Sequence, residues 1–411
     1  MVFGRRAYVE GRTVHDADAH IMETPDWLMS HADPDVRDRI GIRQFNSPPI
    51  DNRFIDAEIE RSRRLLDTAD GDDGAALMND KNWRALGSFV SDDRSVALDR
   101  LGFASQLVFN TFHNGYLNDL EHRPDLDLAY GAATAHNRAM AEFCAGDARL
   151  LPTAYVPLAD FYRSQAIAAQ AIDGGAAALL VPSACPAAHS PSHRGLDPVW
   201  AQAQEAGIPV VFHVGGGGQL LDPHYFLNGL PVPPDFHGGD ENFRSVDYMA
   251  IPGPPMQTLA TMIFDGVLER FDRLRLGVIE QGAIWMPSWI QQMESAVDAF
   301  HRHEERLQAL SLRPAEYVRR QIRATPYPTE DVGWITDQVG PDVCLFSSDY
   351  PHVEGGRRPV ERFERSLGDR PEAVRHAFYR DNFVDLMGAG LPATVGPDGD
   401  GATTTTTTTA S

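Results

Sequence analysis

The sequence predicts an α/β fold, a (β/α)8 TIM barrel, on three observations. Short apolar, β-branched runs alternate with longer stretches of helical periodicity. That alternation repeats eight times within 411 residues. Carboxylates and imidazoles gather where the apolar runs end, which in a barrel is the catalytic rim. An open doubly wound sheet is the alternative arrangement of the same units.

The candidate strands lie near Thr13–Asp18, Gln106–Asn110, Leu151–Val156, Ala177–Val181, Pro209–His213, Leu274–Glu280, Arg320–Thr325 and Val343–Ser347. Helical stretches fill the intervals. RPDLDLAYGAATAHNRAMAEFC follows the second strand and SQAIAAQAI the third. DPVWAQAQEAG follows the fourth, with Asp197 as expected N-cap, Pro198 at the first helical position and Gly207 as stop. MQTLATMIFDGVLERF, WMPSWIQQMESAVDAFHRHEERLQAL, TEDVGWITDQVG and PEAVRHAFYRDNFVDLM complete the series.

Two intervals are too long for a bare connection. An insertion at about 21–100 separates the first two strands, and its segment DNRFIDAEIERSRRLLDTAD has amphipathic helical spacing. A Gly- and Pro-rich loop from Val214 to about Pro255 follows the fifth strand and carries His224 and His237. Loops of that length in compact domains are usually lids or disordered. One barrel over residues 1–389 is expected. The tail at 390–411, GLPATVGPDGDGATTTTTTTAS, is low-complexity and expected to be disordered.

Composition narrows the function classes. The chain is 43% hydrophobic and 23% charged, as globular proteins are. Its 36 basic and 58 acidic residues leave a net charge of −22, which disfavours nucleic acid and anionic membranes. No apolar run reaches membrane-span length and no signal peptide is evident. Three widely spaced cysteines, Cys144, Cys185 and Cys344, form neither a disulfide framework nor a zinc pattern. A cytoplasmic protein with a small-molecule substrate is expected.

The chemistry sits at the strand ends. The first strand runs HDADAH, so Asp16, Asp18 and His20 share one face and His15 takes the other. Asp16 lies one layer lower and is expected to be a buried, hydrogen-bonded structural group. The fifth strand ends at His213, the sixth at Glu280, and the eighth at Asp349 with His352 three residues on. His113 follows the second. A single such residue is an ordinary turn or loop group. Four strands delivering ligand types to one rim point to a divalent cation, since unpaired buried carboxylates repel. Histidine with carboxylates suits zinc, manganese or iron. Gly215–Gly218 do not have dinucleotide-loop spacing and are read as letting the backbone pass close to the metal. No GxSxG elbow is present.

DADAHIMETP, FHVGG, FDRLRLGVIEQGAIWMPSWI and FSSDYPHVEGG resemble the amidohydrolase-related family, in its aminocarboxymuconate semialdehyde decarboxylase-like branch, over about residues 13–388. That resemblance implies a distorted (β/α)8 barrel. It implies Asp18 and His20 as the first-strand ligand pair, His213 as the fifth-strand ligand, and Asp349 as ligand and proton shuttle. Many relatives carry a catalytic histidine after the sixth strand, where this chain has Glu280. Binuclear members of the wider superfamily bridge their metals with a carboxylated lysine on the fourth strand. The one lysine here, Lys81, lies in the insertion, which excludes that bridge.

A second metal held otherwise stays open. Glu23, Glu280, His237 and His352 are spare ligands, and Glu23 reads either as a ligand or as a helix-start carboxylate. The leading expectation is a metal-dependent hydrolase acting on a small organic acid, amide or lactone. Asp349, Glu280 and His352 are its catalytic candidates, with Asp18, His20, Glu23, His213 and Asp349 as ligands. His113, His237 and Trp285 are candidate substrate contacts, with Phe112 and Tyr350 as further pocket lining. Decarboxylation of a small, aromatic acid is the first alternative, and a dinuclear non-haem iron monooxygenase the second. A barrel that only binds a ligand is the non-enzymatic alternative. A homodimer is expected.

Overall fold

The computed structural model describes residues 6–44, 50–68, 73–231 and 244–395. Seven parallel strands run in sequence order: β1 (His15–His20), β2 (Ser105–Phe109), β3 (Leu150–Tyr155), β4 (Ala178–Leu180), β5 (Val210–His213), β6 (Leu276–Ile279) and β7 (Ile322–Ala324). Each pairs with the next, as a right-handed succession of βα units demands. Six of the seven are buried throughout, and β3 has one half-buried residue. Burial on both faces is why β3–β6 read as largely apolar runs rather than alternating ones.

The eighth run, Val343–Ser347, is not a regular strand. It still closes the ring through single bridges, Ala324 to Cys344 and Ala19 to Tyr350. Backbone bonds from Ala17 N to Phe346 O (3.1 Å), His20 N to Tyr350 O (2.7 Å) and Asp349 N to Asp18 O (2.9 Å) support them. The irregularity has a local cause. The Asp16 carboxylate accepts from Ser348 N (2.7 Å) and Ser348 Oγ (2.6 Å), so a side chain takes the place of a ladder bond. The pairing of β1 with β2 also shifts between Asp16 and Ala19.

The connections follow the expected alternation with shifted edges. Asp197 is the first residue of its helix, Asp197–Ala206, rather than the cap, and its carboxylate instead meets Arg270 at 2.7 Å. Gly207 ends that helix in the left-handed region, φ 69°, where a side chain would be strained. The segment between β1 and β2 folds into helices, including Asn52–Leu65 and Ser91–Leu101. Asp51 caps the former by accepting from Phe54 N at 2.9 Å. No helix among the described residues is long and apolar enough to cross a membrane. His237 and residues 396–411 of the tail lie outside the described residues.

Candidate metal centre

Six side chains from four barrel segments meet at the rim. Asp18 and His20 come from β1, His213 ends β5, Glu280 follows β6, and Asp349 and His352 follow the eighth segment. They form two overlapping groups: Asp18, His20, His213 and Glu280, then His20, Glu280, Asp349 and His352. Within each group the potential ligand atoms lie within 4.8 Å of one another. His20 Nε2 lies 3.1 Å from Asp18 Oδ1, 3.6 Å from Asp349 Oδ1 and 3.7 Å from Glu280 Oε2. His213 Nε2 is 3.3 Å from both Asp18 Oδ1 and Glu280 Oε2.

The backbone aims these groups. His20 Nδ1 bonds the carbonyl of Asn110 (3.0 Å) and His213 Nδ1 that of Val214 (2.9 Å). Each Nδ1 therefore carries the proton, which leaves Nε2 as a lone pair directed into the cluster. His352 uses the opposite atom: its Nε2 meets Thr111 Oγ1 at 2.9 Å and its Nδ1 lies 3.0 Å from Asp349 Oδ1. Asp349 Oδ2 accepts from Gly355 N at 2.9 Å. A Cβ at Gly355 would sit 1.9 Å from the Ser348 carbonyl, so only glycine lets that turn close over the carboxylate.

The electrostatics are those of a cation site. Burial pushes Asp349 up to about 6, with His352 opposing. Burial would also raise Asp18, but when the His20 and His213 rings carry an Nε2 proton their hydrogen bonds and charge outweigh it and hold its carboxyl below the usual range. Burial and the neighbouring His352 push His20 down to about 3, so its ring is neutral and able to ligate. Asp18 Oδ2 is buried with no hydrogen-bond partner. Three buried carboxylates with three neutral-capable imidazoles and no sulfur fit a divalent ion such as manganese, iron or zinc.

Other candidates are placed elsewhere. Glu23 belongs to neither group. Its carboxylate accepts from the backbone N–H groups of Thr111 (3.0 Å), Phe112 (3.1 Å) and His113 (3.2 Å), and pairs with His113 Nδ1 at 3.0 Å. It thus closes the N-terminus of the His113–Glu121 helix. Burial opposes its charge, yet His113 and those donors hold its carboxyl below the usual range. His113 is correspondingly engaged with Glu23. Trp285 donates Nε1 to the carbonyls of Gln281 (3.1 Å) and Gly282 (2.9 Å) and packs on Trp289, as a core residue does. Tyr350 is fully buried and donates to Leu86 O at 2.8 Å, turned towards the insertion. Gly215–Gly218 pass beside Asn114 and the Pro182–Ser183 backbone. His15 stacks on Phe383 (5.0 Å) and bonds Ser105 Oγ (2.8 Å), away from the cluster. Asp16 also accepts from Gln106 Nε2 at 2.9 Å, the structural role its layer predicts.

Sequence reasoning missed three residues. Thr111 sits just past β2, at the same rim position that singled out the others. Tyr327, after β7, donates to the Glu280 carbonyl at 2.7 Å. Lys81 had no signal at all, because it reaches the rim from the insertion. Asn82 N bonds Pro351 O at 2.9 Å, and the Lys81 ammonium is buried without a hydrogen bond. Burial pushes it down to about 8 against the pull of Asp349 and Glu354.

A cavity of about 540 Å³ opens beside Glu280. Val214, Arg244, Tyr248, Met249, Ile251, Tyr327 and Glu354 are on its walls.

Comparison with known proteins agrees with this architecture. The chain is similar to an amidohydrolase from Mycobacterium avium subsp. paratuberculosis K-10, at 25% identity and TM-score 0.71, over 92% of this chain and 99% of that one. It shares its fold with a 5-carboxyvanillate decarboxylase from Novosphingobium aromaticivorans DSM 12444, complexed with manganese and 4-hydroxy-3-methoxy-5-nitrobenzoic acid (14% identity, TM-score 0.60, 94% and 99% covered). It shares it also with a dihydroxybenzoic acid decarboxylase from Polaromonas sp. JS666, with bound manganese and the inhibitor 2-nitroresorcinol (14%, 0.56, 92% and 97%). No match was found among curated proteins. The amidohydrolase family model matches residues 16–386, nearly the whole described barrel, and the chain belongs to that family.

Proposed function

We propose that this protein is a metal-dependent decarboxylase of an aromatic or similarly conjugated carboxylic acid. The observation that carries the reading is the buried carboxylate–imidazole cluster on a barrel whose structural neighbours include manganese-bound decarboxylases of hydroxylated aromatic acids. Asp18, His20, His213 and Asp349 would hold the ion, with Glu280 where many relatives carry histidine. A bound divalent cation supplies Lewis-acid stabilisation of the substrate's carboxylate and adjoining oxygen.

The chain's own residues would do the rest. Asp349, with Oδ1 3.0 Å from His352 Nδ1, would pass a proton to the ring carbon. The bond from that carbon to the carboxylate breaks, its electron pair stays on the carbon, and carbon dioxide leaves. His352, bonded to Asp349 and Thr111, orients the donor. Hydrolysis of an amide or lactone, the leading expectation from sequence, has less support, because several of the structural neighbours are decarboxylases of aromatic acids.

A second reading rests on ligand count. Six ligand residues in two groups sharing His20 and Glu280 are more than one ion needs, which favours a dinuclear centre and, with iron, oxygen chemistry. The test is elemental mass spectrometry of protein purified anaerobically, followed by carbon dioxide release from hydroxylated aromatic acids in D2O. About one manganese or zinc per chain, with one deuterium on the product carbon, is expected. Two irons per chain and oxygen-dependent product would overturn decarboxylation.

A further inference from the structure

We infer that the substrate is a bulky monoanion with an apolar body of two or more rings, rather than a single-ring acid or a dianion. The inference rests on the decarboxylase reading only in taking a carboxylate as the group anchored at the metal.

Size is the first argument. The cavity beside Glu280 holds about 540 Å³. A single-ring hydroxy acid of about ten heavy atoms fills roughly 200 Å³ at protein-like packing. A substrate that small would leave most of the cavity to water, against apolar walls.

Wall chemistry is the second. Tyr248, Met249, Ile251, Tyr327, Pro328 and Val214 present mainly hydrocarbon. The rings of Tyr248 and Tyr327 lie 5.0 Å apart at 40°, an aromatic corner suited to a flat ring. The Tyr327 hydroxyl is turned to the Glu280 carbonyl, which leaves its ring as the exposed surface. Apolar wall continues outwards. Phe226 lies under the guanidinium of the lining residue Arg244 (3.0 Å), and the lining residue Met249 is exposed.

Charge is the third. Arg244 is the one cation among the described lining residues, and it is engaged by Asp247 at 3.2 Å and by Phe226. The other charged linings are Glu280 and Glu354. A second carboxylate on the substrate body would face these two acids, while Arg244, the cation on the wall, is already paired.

The test is calorimetric titration of manganese-loaded protein with salicylate, 5-phenylsalicylate and 4-hydroxyisophthalate. The biaryl acid is expected to bind about tenfold tighter than salicylate or better, and the dianion more weakly than salicylate. Met249 is exposed and outside the metal cluster, so Met249→Arg should fold normally. It is expected to raise dianion affinity above that of salicylate. Equal affinity for one and two rings, tighter binding of the dianion by the unaltered protein, or no binding by any of the three overturns the inference. Tight biaryl binding without carbon dioxide release would overturn decarboxylation and leave this inference standing.

Discussion

Glu280 and Asp349 share one backbone anomaly: both are non-glycine residues in the left-handed region, at φ 52° and 51°. Each ends a barrel segment, and each carboxylate lies within 4 Å of His20 Nε2, at 3.7 and 3.6 Å. Such strain persists where surrounding structure over-determines it, and it clusters at functional sites. Here it turns two acids out of the strand direction towards one point. Glu280→Gly should therefore stabilise metal-free protein by about 1 kcal/mol while lowering metal affinity about 100-fold or more. Urea melts with and without chelator, beside a metal titration, read both effects. Unchanged metal affinity would remove Glu280 from the ligand set.

Glu23 tests the difference between a ligand and a cap. Its carboxylate accepts three backbone donors at the start of the His113–Glu121 helix. Glu23→Ala should cost about 2–4 kcal/mol of stability and leave metal stoichiometry unchanged. Loss of one metal per chain at unaltered stability would show the opposite role.

Thr111 holds the His352 ring from behind, 2.9 Å from its Nε2. Thr111→Val keeps the volume and removes both this hydrogen bond and the one Thr111 Oγ1 donates to Ile21 O at 2.7 Å. Metal affinity or turnover should fall about 10- to 100-fold, with a stability loss of about 1–3 kcal/mol. Wild-type values for both would mean that stacking on His20, at 3.9 Å, suffices to hold the ring.

Glu330 provides a pH test away from the ligands. Burial pushes its carboxyl up to about 7, against the backbone donors of Ala283, Ile284 and Tyr327. Its folded pKa therefore exceeds its unfolded value, so the folded state binds the extra proton. The stability this contributes is complete below the unfolded pKa and is lost as pH rises through about 7. Glu330→Gln mimics the neutral form and should be more stable than wild type at pH 8, by on the order of 1–3 kcal/mol. Chemical melts at pH 5 and pH 8 compare the two, and an equal difference at both would remove the titration.

Strand ends carried most of the readable site. Asp18, His20, His213, Glu280, Asp349 and His352 could be placed on one rim because β-strand side chains alternate and βα units repeat. Both are local rules that a linear sequence obeys. The family motifs FHVGG and FSSDYPH mark those same strand ends. What escaped was everything fixed by contacts across the chain. Glu23 has the right residue type in the right motif, yet the start of a helix 90 residues further on takes its carboxylate. Lys81 reaches the rim from an insertion whose fold no short-range pattern predicts. Val343–Ser347 looks like a strand by composition, and the Asp16–Ser348 bonds reshape it. By itself the sequence determined the alternation, the acidic surface and the ligand types, since each depends on neighbours within one element. Only the tertiary structure decided which ligand-type side chains converge, which acid is a cap, and how large and apolar the adjoining cavity is. Those depend on burial and on partners distant in sequence, whose meeting is a property of the packed barrel.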